Sequence, residues 1–278
     1  MKIAFCFCGQ VRSAEYAADG ILNFIGDLLP DVDFFMHTWD TNGYKKRGPK
    51  SIKVKELCEQ RNYDINDVKL IDKEILSANV APDTFSVLKT IQQQYNNQFK
   101  LIEVESLTGH YKNFCEKYTK FPPHLYSWYK VINAKKQHEL IYQFEYDVVI
   151  KTRTDLVYPR GSKLIDEIEN WSKNKDHFYA VIPGPQRIHD VFHIASSKVM
   201  DTASEFVINS PEKKQYASIF YDYLTYANLP TSPTVLKRYA VYRPETFPSS
   251  SLNFEECFNK EKDWYASASD TYRLPEQE

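Results

Sequence analysis

The sequence predicts an α/β fold in which helices flank a mainly parallel β-sheet. Two observations lead to this prediction: several short runs are continuously apolar, and segments with helical spacing of apolar residues separate them. Continuous apolar runs are typical of parallel strands that are covered on both faces. Strands that alternate with helices along the chain imply an α/β sandwich.

The apolar runs predict strands over residues 2–8, 33–38, 68–71, 146–151, 178–182, 191–195 and 238–242. Helical spacing predicts helices over residues 14–29, 54–61, 84–99, 125–144, 198–208 and 212–228. The helix over 125–144 is the clearest of these, because Leu125, Trp128, Ile132, Leu140 and Phe144 roughly follow helical spacing. Two prolines directly before it mark its start.

Composition narrows the class of protein. A net charge of -2 over 278 residues gives no overall field that would attract nucleic acid or an anionic membrane. Five cysteines, an odd number without framework spacing, argue against a secreted disulfide scaffold. The N-terminal apolar run is too short for a signal peptide, and no segment approaches the roughly 20 apolar residues of a membrane span. We therefore expect a cytoplasmic protein.

Polar clusters follow three of the predicted strands, and open α/β sheets bind ligands beyond the carboxyl ends of their strands. In the first cluster, Gly9 permits a tight turn, and Arg12 stands at the start of a helix, where backbone N–H groups favour an anion. The alternative is a plain strand-to-helix turn with an exposed arginine. In the second cluster, Trp39 could stack on a nucleobase while His37 or Asp40 contacts a polar edge. The alternative is a half-buried tryptophan and a capped strand end.

The third cluster is Thr152-Arg-Thr-Asp155, directly after a hydrophobic strand. Side chains alternate along a strand, so Arg153 and Asp155 should share one face. They could form an ion pair that fixes a loop. Alternatively, Asp155 could hold a divalent cation while Arg153 neutralises a diphosphate, since Mg²⁺ takes few carboxylates plus phosphates, and arginine suits phosphate geometry.

Two other motifs look like known sites but fit them poorly. Residues 43–51 nearly match the P-loop pattern, but Pro49 shifts the register and removes a backbone N–H. His189 and His193 are four apart, but the glutamate of a zinc-binding H-E-x-x-H helix is missing. That stretch predicts a strand followed by a helix capped by Ser196 or Ser197. Asp190 then lies at the start of the strand, either solvated or across a ligand cleft.

Taken together, these residues resemble a nucleotide-sugar-dependent glycosyltransferase of the GT-A fold. The group it resembles is the bacterial and viral one related to the WavE lipopolysaccharide-synthesis proteins. The segments that carry the resemblance are CGQVRS at 8–13, DVDFFMHTWD at 31–40, YSWYKVINAKKQHEL at 126–140, YDVVIKTRTDLVY at 146–158 and HDVFHIASSKVMD at 189–201. The resemblance implies one GT-A-like domain over 1–278, with a nucleotide-binding half at 1–158 and an acceptor half with C-terminal helices at 159–278.

The resemblance also implies roles for individual residues towards a nucleotide-sugar donor. The residues that it places near the ribose or phosphates are Gly9, Gln10 and Arg12. Those near the base would be His37 and Trp39, while Ser127 and Lys130 would face the donor from a helix.

The cluster ending at Asp155 would take the place of the metal-binding DxD motif, with Mn²⁺ or Mg²⁺ bound at Asp155. Arg153 departs from that motif because it stands where the first acid belongs. Either Asp155 holds the ion alone with waters and phosphates, or Arg153 replaces part of the cation's role. Asp190 would face the sugar or the acceptor glycan and is the candidate catalytic base. A sugar-phosphate nucleotidyltransferase and an inactive nucleotide- or glycan-binding protein on the same fold are the alternatives.

Overall fold

The structure is a computed structural model that describes residues 1–11, 14–40, 84–106, 109–117, 123–159, 161–181, 188, 191–209, 224–225, 227–236 and 240–241. Its strands are β1 Ile3–Cys8, β2 Val32–Trp39, β3 Phe99–Glu105, β4 Val148–Thr152, β5 Leu156–Val157, β6 Phe178–Ala180, β7 Phe192–Ala195, β8 Thr231–Pro233 and β9 Ala240–Val241. Its α-helices are α1 Ala14–Ile25, α2 Thr84–Gln94, α3 His110–Lys117, α4 Pro123–Tyr142, α5 Leu164–Ser172, α6 Ser197–Ser204 and α7 Phe206–Asn209.

Seven of the described strands form one sheet in the order β3-β2-β1-β4-β7-β6-β8. Four neighbouring pairs in it are parallel, and only β7 runs antiparallel to its neighbours β4 and β6. Strands β5 and β9 form a separate antiparallel pair. The prediction of an α/β fold with a mainly parallel, Rossmann-like sheet between helices is confirmed.

Alternate residues of the central strands supply two hydrophobic cores, one on each face of the sheet. Phe5 and Phe7 face the core that contains α1, α2 and α5, whereas Cys6 and Cys8 face the core under α4 and α6. All six residues of β1 are buried, as expected for a strand with helices on both faces. Each enclosed phenylalanine contributes about 1.5–3 kcal/mol relative to an exposed one.

The winding of the sheet reverses between β1 and β4. From β1 the chain moves outward through β2 to β3, and then returns to place β4 on the other side of β1. Helix α1, which follows β1, and helix α4, which precedes β4, pack on opposite faces. At such a reversal the connections leave a crevice beyond the carboxyl ends of the two strands, which is where open α/β sheets bind ligands.

The main error of the sequence prediction lies at residues 84–105. The helix predicted over 84–99 ends at Gln94, because Asn96 and Asn97 adopt positive φ values of 51° and 56° and end it. Strand β3 follows and was not predicted, since it is an edge strand in which charged residues interrupt the continuous apolar run that a covered strand shows. Helix α5 was also not predicted, although the acids in its first turn are typical of a helix start.

The other predicted elements are found with shifted ends or lie outside the described residues. The predicted helix over 14–29 is α1 followed by a 3₁₀ helix over Gly26–Asp31. Helix α4 is confirmed, but Leu140 is 64% exposed and Phe144 lies beyond the helix end. The elements predicted over 54–61 and 68–71 lie outside the described residues, as does the near P-loop at 43–51. None of the described helices is long and apolar enough to cross a membrane.

Candidate functional site

Two turns meet beyond the carboxyl ends of β1 and β4, at the reversal of the winding. One turn is Gly9–Gln10 and the other runs from Arg153 to Asp155. The Thr154 hydroxyl donates a hydrogen bond of 2.9 Å to the carbonyl oxygen of Gln10. The parallel pairing of β1 with β4 continues up to this point, with Phe7 opposite Thr152. The two turns therefore form one bonded unit.

The Gly9 backbone faces open space in the described structure. Its φ of +112° is in the region that only glycine adopts readily, and no atom lies within 4 Å of where a Cβ would stand. Gly9 and Gln10 are half-buried. A ligand could approach the main chain here more closely than it could approach any residue with a side chain.

Arg153 and Asp155 form a two-pronged ion pair. Arg153 Nε lies 2.8 Å from Asp155 Oδ1, and its Nη2 lies 2.7 Å from Oδ2. The side chain of Asp155 is 4% exposed, whereas that of Arg153 is 30% exposed. The carboxylate is thus covered by the guanidinium, and the guanidinium is the member of the pair that reaches the surface.

A divalent cation does not fit Asp155 in this arrangement. Mg²⁺ and Ca²⁺ bind carboxylate oxygens at about 2.0–2.6 Å. Arg153 nitrogens already lie against both oxygens at 2.7 and 2.8 Å, so a cation there would be pressed against a guanidinium of like charge. Among the residues that the structure describes, Arg153 supplies the positive charge of this site.

Ser127 of α4 connects the Gly9 turn to β2. Its Oγ accepts a hydrogen bond of 2.8 Å from Gly9 N–H and donates one of 2.9 Å to the carbonyl oxygen of His37. The Nδ1 atom of His37 lies 2.9 Å from the same oxygen. Ser127 and His37 are fully buried. Ser127 therefore holds the Gly9 turn directly, and the buried His37 side chain contacts Ser127.

Trp39 belongs to a buried aromatic cluster and is 2% exposed. Its ring stacks on Tyr126 at 5.8 Å between centroids, and it meets His37 and Tyr111 edge-on. A nucleobase would have to displace part of this cluster to reach the indole. The contact of His37 and Trp39 with a base stays a prediction.

Lys130 of α4 lies between two glutamates of β3. Its Nζ is 2.7 Å from Oε1 of both Glu103 and Glu105. Glu105 also accepts a hydrogen bond of 2.9 Å from the Tyr126 hydroxyl, and His37 Nε2 faces it at 3.6 Å. Tyr126 and Lys130 are one helical turn apart and so reach the same strand.

These contacts shift the ionisation of Glu105 and Lys130. Burial acts to raise the pKa of the Glu105 carboxyl, but His37, Lys130 and Tyr126 outweigh it and hold that pKa well below its usual range. Burial acts to lower the pKa of Lys130, but Glu103 and Glu105 raise it above its usual value. The network is therefore a charged one at neutral pH.

Among the described residues, His37, Glu103 and Glu105 could hold a metal ion, since one ligand atom from each lies within 4.8 Å of the others. The ammonium group of Lys130 is bonded to both of these glutamates. A divalent cation would have to expel it before it could bind. The cluster already contains a cation that is bonded to both of its carboxylates.

Two of the predicted site residues, Arg12 and Asp190, lie outside the described residues. Of the others, the structure brings Gly9, Gln10 and Arg153 together at the strand ends, with the buried Asp155 bonded to Arg153. It places Ser127, His37 and Trp39 beneath them and pairs Lys130 with β3.

The glutamates of β3 were not predicted as part of the site. The alternation in Glu103-Val-Glu105 is the signal that could have identified them, because it is typical of a strand with one polar face.

No protein-family model and no curated protein sequence matches the chain. The galactosyltransferase LgtC, solved with donor and acceptor sugar analogues, is 11% identical with a TM-score of 0.38, over 84% of this chain and 73% of its own. A cytidylyltransferase from Leptospira borgpetersenii serovar Hardjo-bovis is 8% identical with a TM-score of 0.40, over 96% of each chain.

A Bacillus anthracis structure described as a glucose-1-phosphate thymidylyltransferase, in complex with a sucrose, is 11% identical with a TM-score of 0.37, over 93% of this chain and 99% of its own. Similarities of this size are limited to the general course of the chain. Membership of the WavE-related group stays a prediction.

Proposed function

We propose that this protein is a glycosyltransferase that takes a sugar from a nucleotide-sugar donor and transfers it to a glycan or polysaccharide acceptor. The observation that supports this most is the half-exposed Arg153, held by a buried Asp155 beside the open Gly9 backbone. The pair stands at the reversal of the winding, where a ligand of an α/β sheet is expected.

The chemistry of sugar transfer requires a positive charge at this place. When the bond from the sugar to the diphosphate breaks, the leaving group is a nucleoside diphosphate that gains negative charge. Asp155 takes two of the five N–H donors of the Arg153 guanidinium, so the ion pair fixes the orientation of the arginine. No step of this proposal passes through a metal ion.

The remaining roles are those that the resemblance to GT-A glycosyltransferases implies. Gly9 and Gln10 would contact the phosphate or ribose through the backbone, with Arg12 beside them. Asp190 would stand on the acceptor side. In an inverting reaction it would remove the proton of the acceptor hydroxyl, whereas a retaining reaction needs no such base.

The test is a sugar-transfer and donor-hydrolysis assay with a panel of UDP-, GDP- and CDP-sugars, together with calorimetry of the corresponding diphosphates. We expect turnover of one donor class and about 10–100-fold weaker diphosphate binding in Arg153→Ala, since a charge-assisted contact is lost. Lys163→Ala, which removes an exposed lysine ten residues away, is the matched control.

Other outcomes would identify a different function. Release of pyrophosphate from a nucleoside triphosphate and a sugar phosphate would identify a nucleotidyltransferase. Diphosphate binding without turnover of any donor would identify a binding protein. Equal diphosphate affinity in wild type and Arg153→Ala would overturn the assignment of the site.

A further inference from the structure

The network under the Gly9 turn has two parts that meet on helix α4. Tyr126 and Lys130 both bond to Glu105 of β3, at 2.9 and 2.7 Å. Ser127, between them in sequence, faces β2 and β1 instead and bonds to His37 and Gly9. The start of α4 is thus held from one side by Glu105 and holds the Gly9 turn on the other.

Glu103 provides an internal comparison. It lies two residues from Glu105 on the same face of β3, and its distance to Lys130 is the same 2.7 Å. Its side chain is 32% exposed, whereas that of Glu105 is 6% exposed. Of the two carboxylates, that of Glu105 also accepts a hydrogen bond from Tyr126 and lies 3.6 Å from His37 Nε2. Both carboxylates bond to Lys130, whereas the carboxylate of Glu105 also contacts Tyr126 at the start of α4 and the His37 side chain of β2.

Hydrogen bonds connect the Gly9–Gln10 turn to the turn that carries Arg153. Gly9 N–H donates to Ser127 Oγ, and the next residue, Gln10, accepts a hydrogen bond from Thr154. Thr154 stands between Arg153 and Asp155 in sequence. A shift of Ser127 would therefore move the Gly9–Gln10 turn, and with it the turn that carries the guanidinium.

We infer that Glu105 is a positioning residue, which fixes the Gly9–Gln10 turn through Tyr126, Lys130 and Ser127 without contacting the ligand. Lys130 is the resident cation of this network, in the place that a metal ion would take beside the two glutamates and His37. The consequence for ligand binding rests on the proposed function. The effect on the Gly9 turn itself does not.

Hydrogen exchange of the Gly9 amide, followed by NMR on ¹⁵N-labelled full-length protein, measures the turn directly. In Ser127→Ala we expect exchange about tenfold faster, because Gly9 N–H loses the shorter of its two bonds and keeps only the 3.3 Å bond to the carbonyl oxygen of His37. Glu105→Gln should have the same effect to a lesser degree, while Glu103→Gln should leave the exchange rate of the Gly9 amide at the wild-type value. Tyr126→Phe removes only the hydroxyl group that bonds to Glu105. If Glu105→Gln does not fold, Tyr126→Phe is measured in its place.

For the same variants, calorimetry then measures the affinity for UDP and GDP, and the melting temperature of each variant is measured as well. A positioning role predicts about tenfold weaker binding in Glu105→Gln than in Glu103→Gln at matched melting temperature. Equal Gly9 exchange rates in the two glutamine variants and in Tyr126→Phe would overturn the inference. If the exchange rates differ as expected but the wild type binds no diphosphate, the network stands and the proposed function fails.

Titration with Mn²⁺ and Zn²⁺ tests whether the Lys130 ammonium group occupies the position that a metal ion would take. Lys130→Met should bind one ion at the vacated cluster, with broadening or shifts of the Tyr126 and Ser127 amide signals. The wild type should show no such signal change, because the ammonium holds both glutamates. Metal binding at these residues in the wild type would show that Lys130 is not the resident cation.

Discussion

Arg153 covers both carboxylate oxygens of Asp155, with its Nε at 2.8 Å from one and its Nη2 at 2.7 Å from the other. The sequence alone permits either a loop-fixing pair or a phosphate site at this position. In the structure the pair fixes the turn and also presents a guanidinium that is 30% exposed at the crevice. The two functions are therefore compatible in one pair of side chains.

Arg153→Lys should bind nucleoside diphosphates about tenfold more weakly than the wild type, although the charge is unchanged. A lysine is a point charge and has no fork that spans two carboxylate oxygens, so its position is not fixed. Calorimetry with UDP and GDP measures the affinity. Lys163→Arg makes the reverse exchange at an exposed position and should change nothing. Full affinity in Arg153→Lys would show that charge alone suffices.

Arg153→Asp should make the site depend on a metal. This change restores an acid two residues before Asp155 and removes the guanidinium that covers it. We expect diphosphate affinity of this variant to rise about tenfold or more when Mn²⁺ replaces EDTA, because two carboxylates and the phosphates can share the ion. Arg153→Ala, with one acid, is the control. In the wild type, EDTA should have no effect, and loss of binding there would place a metal at Asp155 after all.

The central part of the fold could be predicted because burial leaves a clear signal. Strand β1 is apolar at every position and covered on both faces, and the helix over 125–144 has apolar residues at helical spacing. The edge strand β3 gave no such signal, because Lys100, Glu103 and Glu105 interrupt its apolar residues and only one of its seven residues is buried. Its pairing with β2 is a long-range contact that local sequence does not contain.

For the same reason, only the surface part of the candidate site could be predicted. Gly9, Arg153 and Asp155 follow apolar strands directly, so their place at the sheet edge follows from strand direction. The role of Lys130 depends on β3, which was missed, and therefore its pairing with Glu103 and Glu105 was missed as well. The hydroxyl of Ser127 bonds to Gly9 and His37, and its predicted contact with a donor stays a prediction.

Gly9→Ala should lower the free energy of unfolding by about 1–2 kcal/mol, because alanine is strained at a φ of +112°. It should also weaken diphosphate binding, since the added methyl group occupies the open space beside the backbone. Gly20→Ala is the matched control within α1, where alanine is favoured and should stabilise by about 0.5–1 kcal/mol. Equal stability of the two variants, measured by urea unfolding, would contradict the assigned backbone conformation.

Glu167 of α5 should make stability depend on pH. Burial raises the pKa of its carboxyl from 4.5 to about 7, although the backbone N–H groups of Leu236 and Val235 act against the shift. Between these values the folded protein binds the proton more tightly than the unfolded chain does. This contribution to stability is therefore complete below pH 4.5 and is lost as pH rises through about 7.

Urea unfolding from pH 4.5 to 8 should show this as a decline of the unfolding free energy of about 3 kcal/mol that Glu167→Gln lacks. Glu169→Gln changes an exposed glutamate of the same helix and should keep the wild-type slope. Parallel pH profiles of the wild type and Glu167→Gln would refute the prediction.

Lys135 and Lys136 are neighbours on α4, but one is buried and the other is exposed. We therefore expect their substitution to lower the free energy of unfolding by very different amounts. Lys135 is fully buried and its Nζ bonds to Glu139, Ser197 and Asp201 at 2.9, 2.5 and 2.6 Å. Lys135→Met leaves two largely buried carboxylates without their cation and should destabilise by about 3–5 kcal/mol. Lys136 is 43% exposed and lies 3.9 Å from Asp201, so Lys136→Met should cost about 0–1 kcal/mol.

Urea unfolding of both variants at pH 7 measures the difference between their free energies of unfolding. We expect this difference to become smaller at acidic pH. The pKa of Asp201 is raised by burial against the opposing effect of Lys135, so this carboxyl takes up a proton early once the lysine is gone. A neutral carboxyl no longer needs a buried cation beside it. If the two methionine variants unfold at the same urea concentration at pH 7, the cluster around Lys135 does not stabilise the contact between α4 and α6.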